Sequence, residues 1–239
     1  SGLEESRLLL RDWLVRLALS VAKHIPNHQF RLPSAESSPS DLAALFGDSG
    51  AMIAQYVFGM LCSPLFGQGV AESDQLTVAE VQLSSLLPTE LRKVFYPDLV
   101  TVASLGLPPT PAGRSAACWG TLLRLSRQAM ASHASRALLL DTQASICLYY
   151  PWETIAQDHA GEFPFPPPDD CLVMAAVRER GTASRRVPQI VVCRAGTPEA
   201  PYFEEGLVED RMLPDSLGAL GFGDFCSAIV AAAAEGPGS

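Results

Sequence analysis

The sequence predicts an α+β fold, with an all-α helical domain over residues 1–134 followed by a small α/β sandwich domain over residues 135–239. Three features predict it. Apolar residues near the start recur at helical spacing, proline and glycine clusters cut the first 130 residues into short helical pieces, and beyond Ala137 the apolar residues gather into runs of strand length.

Residues 3–25 form the first predicted helix. Leu10, Trp13, Leu14, Leu17 and Val21 fall on one face of a 3.6-residue period, and Pro26 ends the pattern. The polar run Pro33 to Ser40 is a loop, with Ser40 or Asp41 placed to cap the next helix. That helix covers 41–62, with a break expected between Gly47 and Gly50, and Pro64 and Gly67 to Gly69 form a further break. Residues 74–87 mix helix and turn signals. Pro88-Thr89-Glu90 opens a short helix that Pro97 stops, since proline at the first helical position is pre-organised for the turn. Leu105 to Gly113 is a loop, and Arg114 to Met130 is predicted helical, with Leu122, Leu125 and Met130 near one side.

Ala137 to Asp141 and Ser145 to Tyr150 flank Thr142-Gln143 and predict a β-hairpin or adjacent short strands. Glu153 to Ala160 supplies one or two helical turns. Phe163 to Pro168 is a rigid proline-rich loop. Asp169 and Asp170 precede a helix from Cys171 to Arg178, where the helix dipole favours acidic groups at the start. Gln189 to Cys193 is a strand, 197–216 an acidic loop, and Phe222 to Glu235 a final alanine-rich helix.

Composition excludes several function classes. The net charge of −9 opposes nucleic-acid binding, which needs clustered Lys and Arg. No apolar run approaches the roughly 18 residues of a membrane span. The six cysteines form no C-x-x-C pair and lie mostly in apolar runs, so they read as buried free thiols of a cytosolic protein. The four histidines are too scattered for a zinc site. Glu153 and Asp158 read as a solvated helix edge, not an acid/base pair. Trp152 reads as a packed residue over its short helix, and Glu204-Glu205 with Glu209-Asp210 as solvated. Gly221-Phe222-Gly223 follows no strand and is not a dinucleotide loop.

Ala137-Leu138-Leu139-Leu140-Asp141-Thr142, then Ile146 to Tyr150, then Glu153-Thr154-Ile155-Ala156-Gln157 resemble the start of the gelsolin-like domain of the GTPase-activating inner-coat subunit of COPII vesicles, the Sec-twenty-three type. That family has a Leu-Leu-Met-Asp-Thr strand, an apolar strand and a Gly-Glu-Thr-Ile-Ala-Gln block. Upstream, Phe30-Arg31, the stretch from Tyr56 to Phe66, and Arg92 to Pro97 resemble further family segments in the same order. The resemblance implies a helical domain at 1–134 and a gelsolin-like domain at 135–239, with the family's zinc finger, trunk and β-sandwich lying before residue 1. It implies activation of the Sar-type small GTPase, contacts with the cargo-binding inner-coat subunit (mostly through those other domains) and with the outer-coat subunit, and peripheral cytoplasmic association with endoplasmic reticulum exit sites. It implies no cofactor, metal or complete active site of its own.

GTP hydrolysis builds negative charge on the phosphoryl oxygens, and a planar, permanently charged guanidinium supplied in trans accelerates it by about 10³–10⁵. Gly181-Thr182-Ala183-Ser184-Arg185-Arg186 precedes the strand at Gln189, where the family carries its finger in Gly-Gly-Ser-Gln-Ala-Arg. An ungapped alignment from Gly181 places Arg186 on the finger, and one inserted residue would place Arg185 there. Two departures stand against the resemblance: a shorter interval between Asp170 and Gly181, and Tyr150-Pro151-Trp152 in place of the family's His-Gly. They keep open a non-catalytic scaffold or actin-type module, for which Asp169, Asp170, Glu204 and Glu205 are the calcium-ligand candidates. The cargo-binding paralogue of the same coat also stays open.

Overall fold

The computed structural model describes residues 2–24, 48–63, 77, 81, 83–103, 119–134, 136–157, 164–183, 187–213 and 217–235. The expected features at Pro33 to Ser40, Gly67 to Gly69 and Leu105 to Gly113 lie outside them. The fold is α+β, and the chain divides into two compact units, one of 1–96 with 208–239 and the other of 97–207.

The first unit is helical. It holds α1 (Gly2–His24), α2 (Asp48–Leu61), α3 (Pro88–Phe95), a 3₁₀ turn at Val208–Asp210 and, from the far end of the chain, a helix at Phe222–Glu235. That last helix packs on α1 and α2. Its Phe222 and Phe225 close on Phe58, with ring centroids 5.1 and 5.3 Å away. Leu14, Phe58, Leu61 and Phe225 are buried together with Ile229, so of the apolar stripe read in the first helix Leu14 faces the core, whereas Trp13 is 51% exposed. Proline opens α3, and the Glu90 carboxylate accepts the Leu87 backbone N–H at 2.9 Å, satisfying a donor the helix itself leaves orphaned. The Tyr96 hydroxyl donates to the Glu209 carboxylate and accepts from Gln55 Nε2 at 3.0 Å. Glu209 is therefore buried at 7% exposure, in contrast to the solvated acidic loop expected there. Its partner, 113 residues away, has no local sequence signal.

The second unit is a five-stranded sheet of order β2-β1-β3-β4-β5. Its strands are β1 (Asp98–Val102), β2 (Trp119–Leu123), β3 (Leu138–Asp141), β4 (Ser145–Tyr150) and β5 (Gln189–Arg194). The first four pair antiparallel, whereas β5 runs parallel to β4, from Ser145 opposite Gln189 to Tyr150 opposite Arg194. Parallel neighbours need a crossover. It carries α5 (Trp152–Gln157) and α6 (Leu172–Ala183), while the short α4 (Arg127–Ala131) precedes β3 and α7 (Ala200–Glu204) follows β5. Val100, Leu139, Ile146, Leu148 and Tyr150 form one face and pack under Val173, Met174 and Val177 of α6. The alternate residues face the other way. There Tyr149 stacks on Phe203 of α7, with centroids 4.1 Å apart and planes 10° apart. Both faces are covered, which is why β3 and β4 read as continuous apolar runs.

The hairpin expected at 137–150 is present. Thr142 Oγ1 accepts the Ser145 N–H at 2.8 Å and donates to the Ser145 carbonyl at 2.9 Å, closing its turn. Three expectations are corrected. Where the sequence predicts a helix over Arg114 to Met130, the described residues from Trp119 on are β2 followed by α4, because Trp119 to Leu123 pairs with β1 and Ser126 then caps a fresh turn by accepting the Ala129 N–H at 3.2 Å. The acidic loop read at 197–216 contains α7 and the 3₁₀ turn. The boundary expected between 134 and 135 gives way to divisions at 96/97 and 207/208, since β1 and β2 belong to the sheet and the last helix to the helical unit.

Candidate functional site

The candidate site is the short connection from α6 to β5. Arg185 and Arg186 themselves lie outside the described residues, and the structure defines what stands on either side of them. α6 ends at Ala183 with Thr182 Oγ1 donating to the Glu179 carbonyl at 2.8 Å. β5 begins at Gln189, whose N–H donates to the Ala144 carbonyl at 3.0 Å, fastening the strand to the β3–β4 turn. Gly181 and Pro188 are both buried, and a Cβ built on Gly181 would lie 3.5 Å from Pro188 Cγ. Gly181 and Pro188, on either side of the stretch, are thus in contact. Val187, next to Arg186, is 91% exposed.

Other arginines of this unit are held by local partners. Arg178 donates through Nη1 to the Asp169 carbonyl at 2.6 Å and through Nη2 to its carboxylate at 3.0 Å. Arg180 Nε lies 3.6 Å from the buried Asp141 carboxylate, and its guanidinium sits 5.1 Å from the Trp119 ring centroid. Arg194 lies 5.4 Å over the Phe165 ring. Arg127 is paired with Glu204 at 3.0 Å. A guanidinium tied to a neighbouring acid or ring is badly placed to neutralise charge on another protein.

The calcium-ligand candidates do not converge. Asp169 and Asp170 lie just before α6, Glu204 and Glu205 at the end of α7, and these helices cover opposite faces of the sheet. Asp169 and Glu204 are occupied by Arg178 and Arg127. Among the described residues, no group of three or more His, Cys, Asp or Glu could hold a metal ion.

The remaining polar groups are structural. Cys147 and Cys193 are buried, with sulfurs 3.4 Å apart on adjacent strands, and their mutual hydrogen bond, reinforced by burial, pushes the Cys147 thiol up. Burial, then the Glu204 charge, raises the Tyr149 phenol. Trp152 is not packed as expected. It is 62% exposed and rests one ring edge on Gly196, beside a groove of about 200 Å³ lined by Met130, Pro151 and Leu207. The sequence reading missed the clamp of Asp141, Trp119 and Arg180, since 22 and 39 residues of chain separate its members in sequence.

No protein-family model matches the chain. Protein transport protein SEC23 D of Arabidopsis thaliana is 26% identical to it over 234 residues, 95% of this chain and 29% of that protein. The crystal structure of the human COPII-coat protein Sec24c has the same fold, with a TM-score of 0.65 over 98% of this chain and 30% of that one, at 17% identity. The sequence likeness is to a SEC23 protein and the fold likeness to a Sec24 protein. The chain spans about three-tenths of the length of either protein. Among the described residues no helix is long and apolar enough to cross a membrane.

Proposed function

We propose that this chain is the part of a COPII vesicle-coat subunit that presents an arginine to a Sar-type small GTPase and so accelerates GTP hydrolysis in transport from the endoplasmic reticulum. Arg186 is the finger and Arg185 the alternative. The observation that carries the reading is the setting of the Ser184-Arg185-Arg186 stretch. Its flanking residues Gly181 and Pro188 are packed together at the edge strand, while Arg178, Arg180 and Arg194 of the same unit are already held. The GTPase supplies nucleotide, magnesium and attacking water, and this chain supplies one charge, so it is an activator and not an enzyme in its own right. The gelsolin-like character of residues 97–207, docking to the cargo-binding and outer-coat subunits, and peripheral residence at cytoplasmic exit sites belong to the same proposal.

Full-length protein should raise the single-turnover rate of GTP hydrolysis by the small GTPase, and Arg186→Ala should remove most of the gain, on the order of 10³-fold for a lost finger. If Arg186→Ala and Arg185→Ala each keep the wild-type rate, the assignment is wrong. The likeness to Sec24c favours a second reading, a non-catalytic, cargo-binding subunit of the same coat. A wild-type protein that binds coat partners and leaves the GTPase rate unchanged would establish it.

A further inference from the structure

The sheet face under α7 carries a hydroxyl that the fold does not use. The Tyr149 ring is structural, stacked on Phe203, and the residue is only 7% exposed. Its hydroxyl makes no hydrogen bond with any described residue. Buried hydroxyls are normally paired, and an unpaired one costs stability. Tyr149 borders the groove of about 200 Å³ beside Trp152, where this hydroxyl is open to a ligand. Two carboxylates border the same groove. Glu153, in the first turn of α5, is exposed and has no ion pair or hydrogen bond with a described residue. Glu204 gives Oε2 to Arg127 at 3.0 Å, and no described residue donates to its Oε1. Trp152 is the wall. Most of its ring is left to solvent, yet one edge is seated on Gly196, where a Cβ would come within 2.9 Å of it. The local field is negative: after burial, the Glu204 charge raises the Tyr149 phenol, Glu153 adds to it, and the opposing pull of Arg127 is the weakest of the set.

We infer that this groove is a docking site for a lysine side chain of a partner polypeptide, whose ammonium meets the Tyr149 hydroxyl and the carboxylates of Glu153 and Glu204. Charge complementarity selects the ligand. An ammonium has three donors and no acceptor, and three acceptor groups border the groove. A guanidinium fits less well, because its planar fork gains most from a whole carboxylate and Glu204 has one oxygen engaged. The lysine stem is apolar and lies along Met130, Pro151 and Leu207, as such stems do on apolar surface. The Trp152 face adds attraction for the cation. The groove is smaller than the roughly 300–1,000 Å³ of small-molecule sites, which suits a single side chain. The inference is independent of the finger reading, since neither Arg185 nor Arg186 takes part in it.

The test is a titration of the isotope-labelled 239-residue chain with the peptide acetyl-Ala-Lys-Ala-amide, followed by NMR at the tryptophan indole N–H signals. The chain has three tryptophans, so Trp13 and Trp119 are internal controls. The Trp152 signal should move saturably, with a dissociation constant on the order of 1 mM, while the other two stay in place. Tyr149→Phe keeps the stack on Phe203 and deletes the hydroxyl, and it should weaken binding about tenfold. Glu153→Gln, at an exposed position, should weaken it about two- to fivefold. The same peptide acetylated on Nζ should not bind. Absence of a Trp152 response to the lysine peptide at about 20 mM overturns the inference. So does an equal response to the acetylated peptide, or lysine binding unchanged in both variants. Tighter binding of acetyl-Ala-Arg-Ala-amide or of acetyl-Pro-Pro-Pro-amide would assign the groove to a different ligand and overturn it as well.

Discussion

At Gly59, in the last turn of α2, any Cβ would overlap the backbone carbonyl of Phe95 at the end of α3. A carbonyl held at a helix end cannot swing aside as a side chain can, so the two helices approach only across a residue without a side chain. Gly59→Ala should destabilise the protein by about 1–3 kcal/mol, the usual range for overpacking, as read by chemical denaturation. The nearby Cys62 makes a pH prediction. Burial, partly offset by Arg211, pushes its thiol from 9.0 up to about 12. Because the folded state binds the proton more tightly, the contribution is complete below pH 9 and is lost as pH rises toward 12. Stability should fall across that window, and Cys62→Ala should flatten the fall. An identical slope in both proteins would exclude the thiol as its source.

The strands β3, β4 and β5 are legible in the sequence because each is a compact apolar run, and the cause is coverage of both sheet faces by α6 and α7. β1 is not legible. Asp-Leu-Val-Thr-Val is five residues directly after Pro97, and it is strand because β2 and β3 flank it on either side. β2 misleads in the opposite sense: Leu122 and Leu125 stand at helical spacing, yet Leu122 is 51% exposed on β2 and Leu125 is buried in the bend between β2 and α4. Tertiary pairing overrides local period at both places. The same scale carries a prediction for α6. A Cβ on Gly181 would meet Pro188 only at ordinary contact distance, 3.5 Å, so the helix gains from alanine there. Gly181→Ala should raise stability by about 0.5–1 kcal/mol, measured as a shift of the denaturation midpoint. A loss would mean that the close of α6 on β5 is tighter than its geometry indicates.

For the whole molecule, the helical unit is discontinuous, and no local pattern can show that Phe222 and Phe225 return to Phe58 across the intervening sheet unit. A fragment of residues 97–207 should therefore melt cooperatively on its own, whereas 135–239, which lacks β1 and β2 and carries an unpartnered apolar helix, should not. Calorimetry of the two fragments decides this, and a cooperative transition from 135–239 alone would restore the linear domain order. The candidate site was legible only as a motif, Gly181 to Arg186 before a strand. That its ends are packed together and its neighbouring arginines engaged is a matter of contacts, which sequence does not carry. The central claim is that the charge reaching the GTPase comes from this one connection. The most direct measurement is the single-turnover GTP hydrolysis rate with full-length protein in which both Arg185 and Arg186 are alanine. A return to the rate of the GTPase alone is predicted, with coat-subunit binding intact. Stimulation equal to that of the unsubstituted protein would contradict the account.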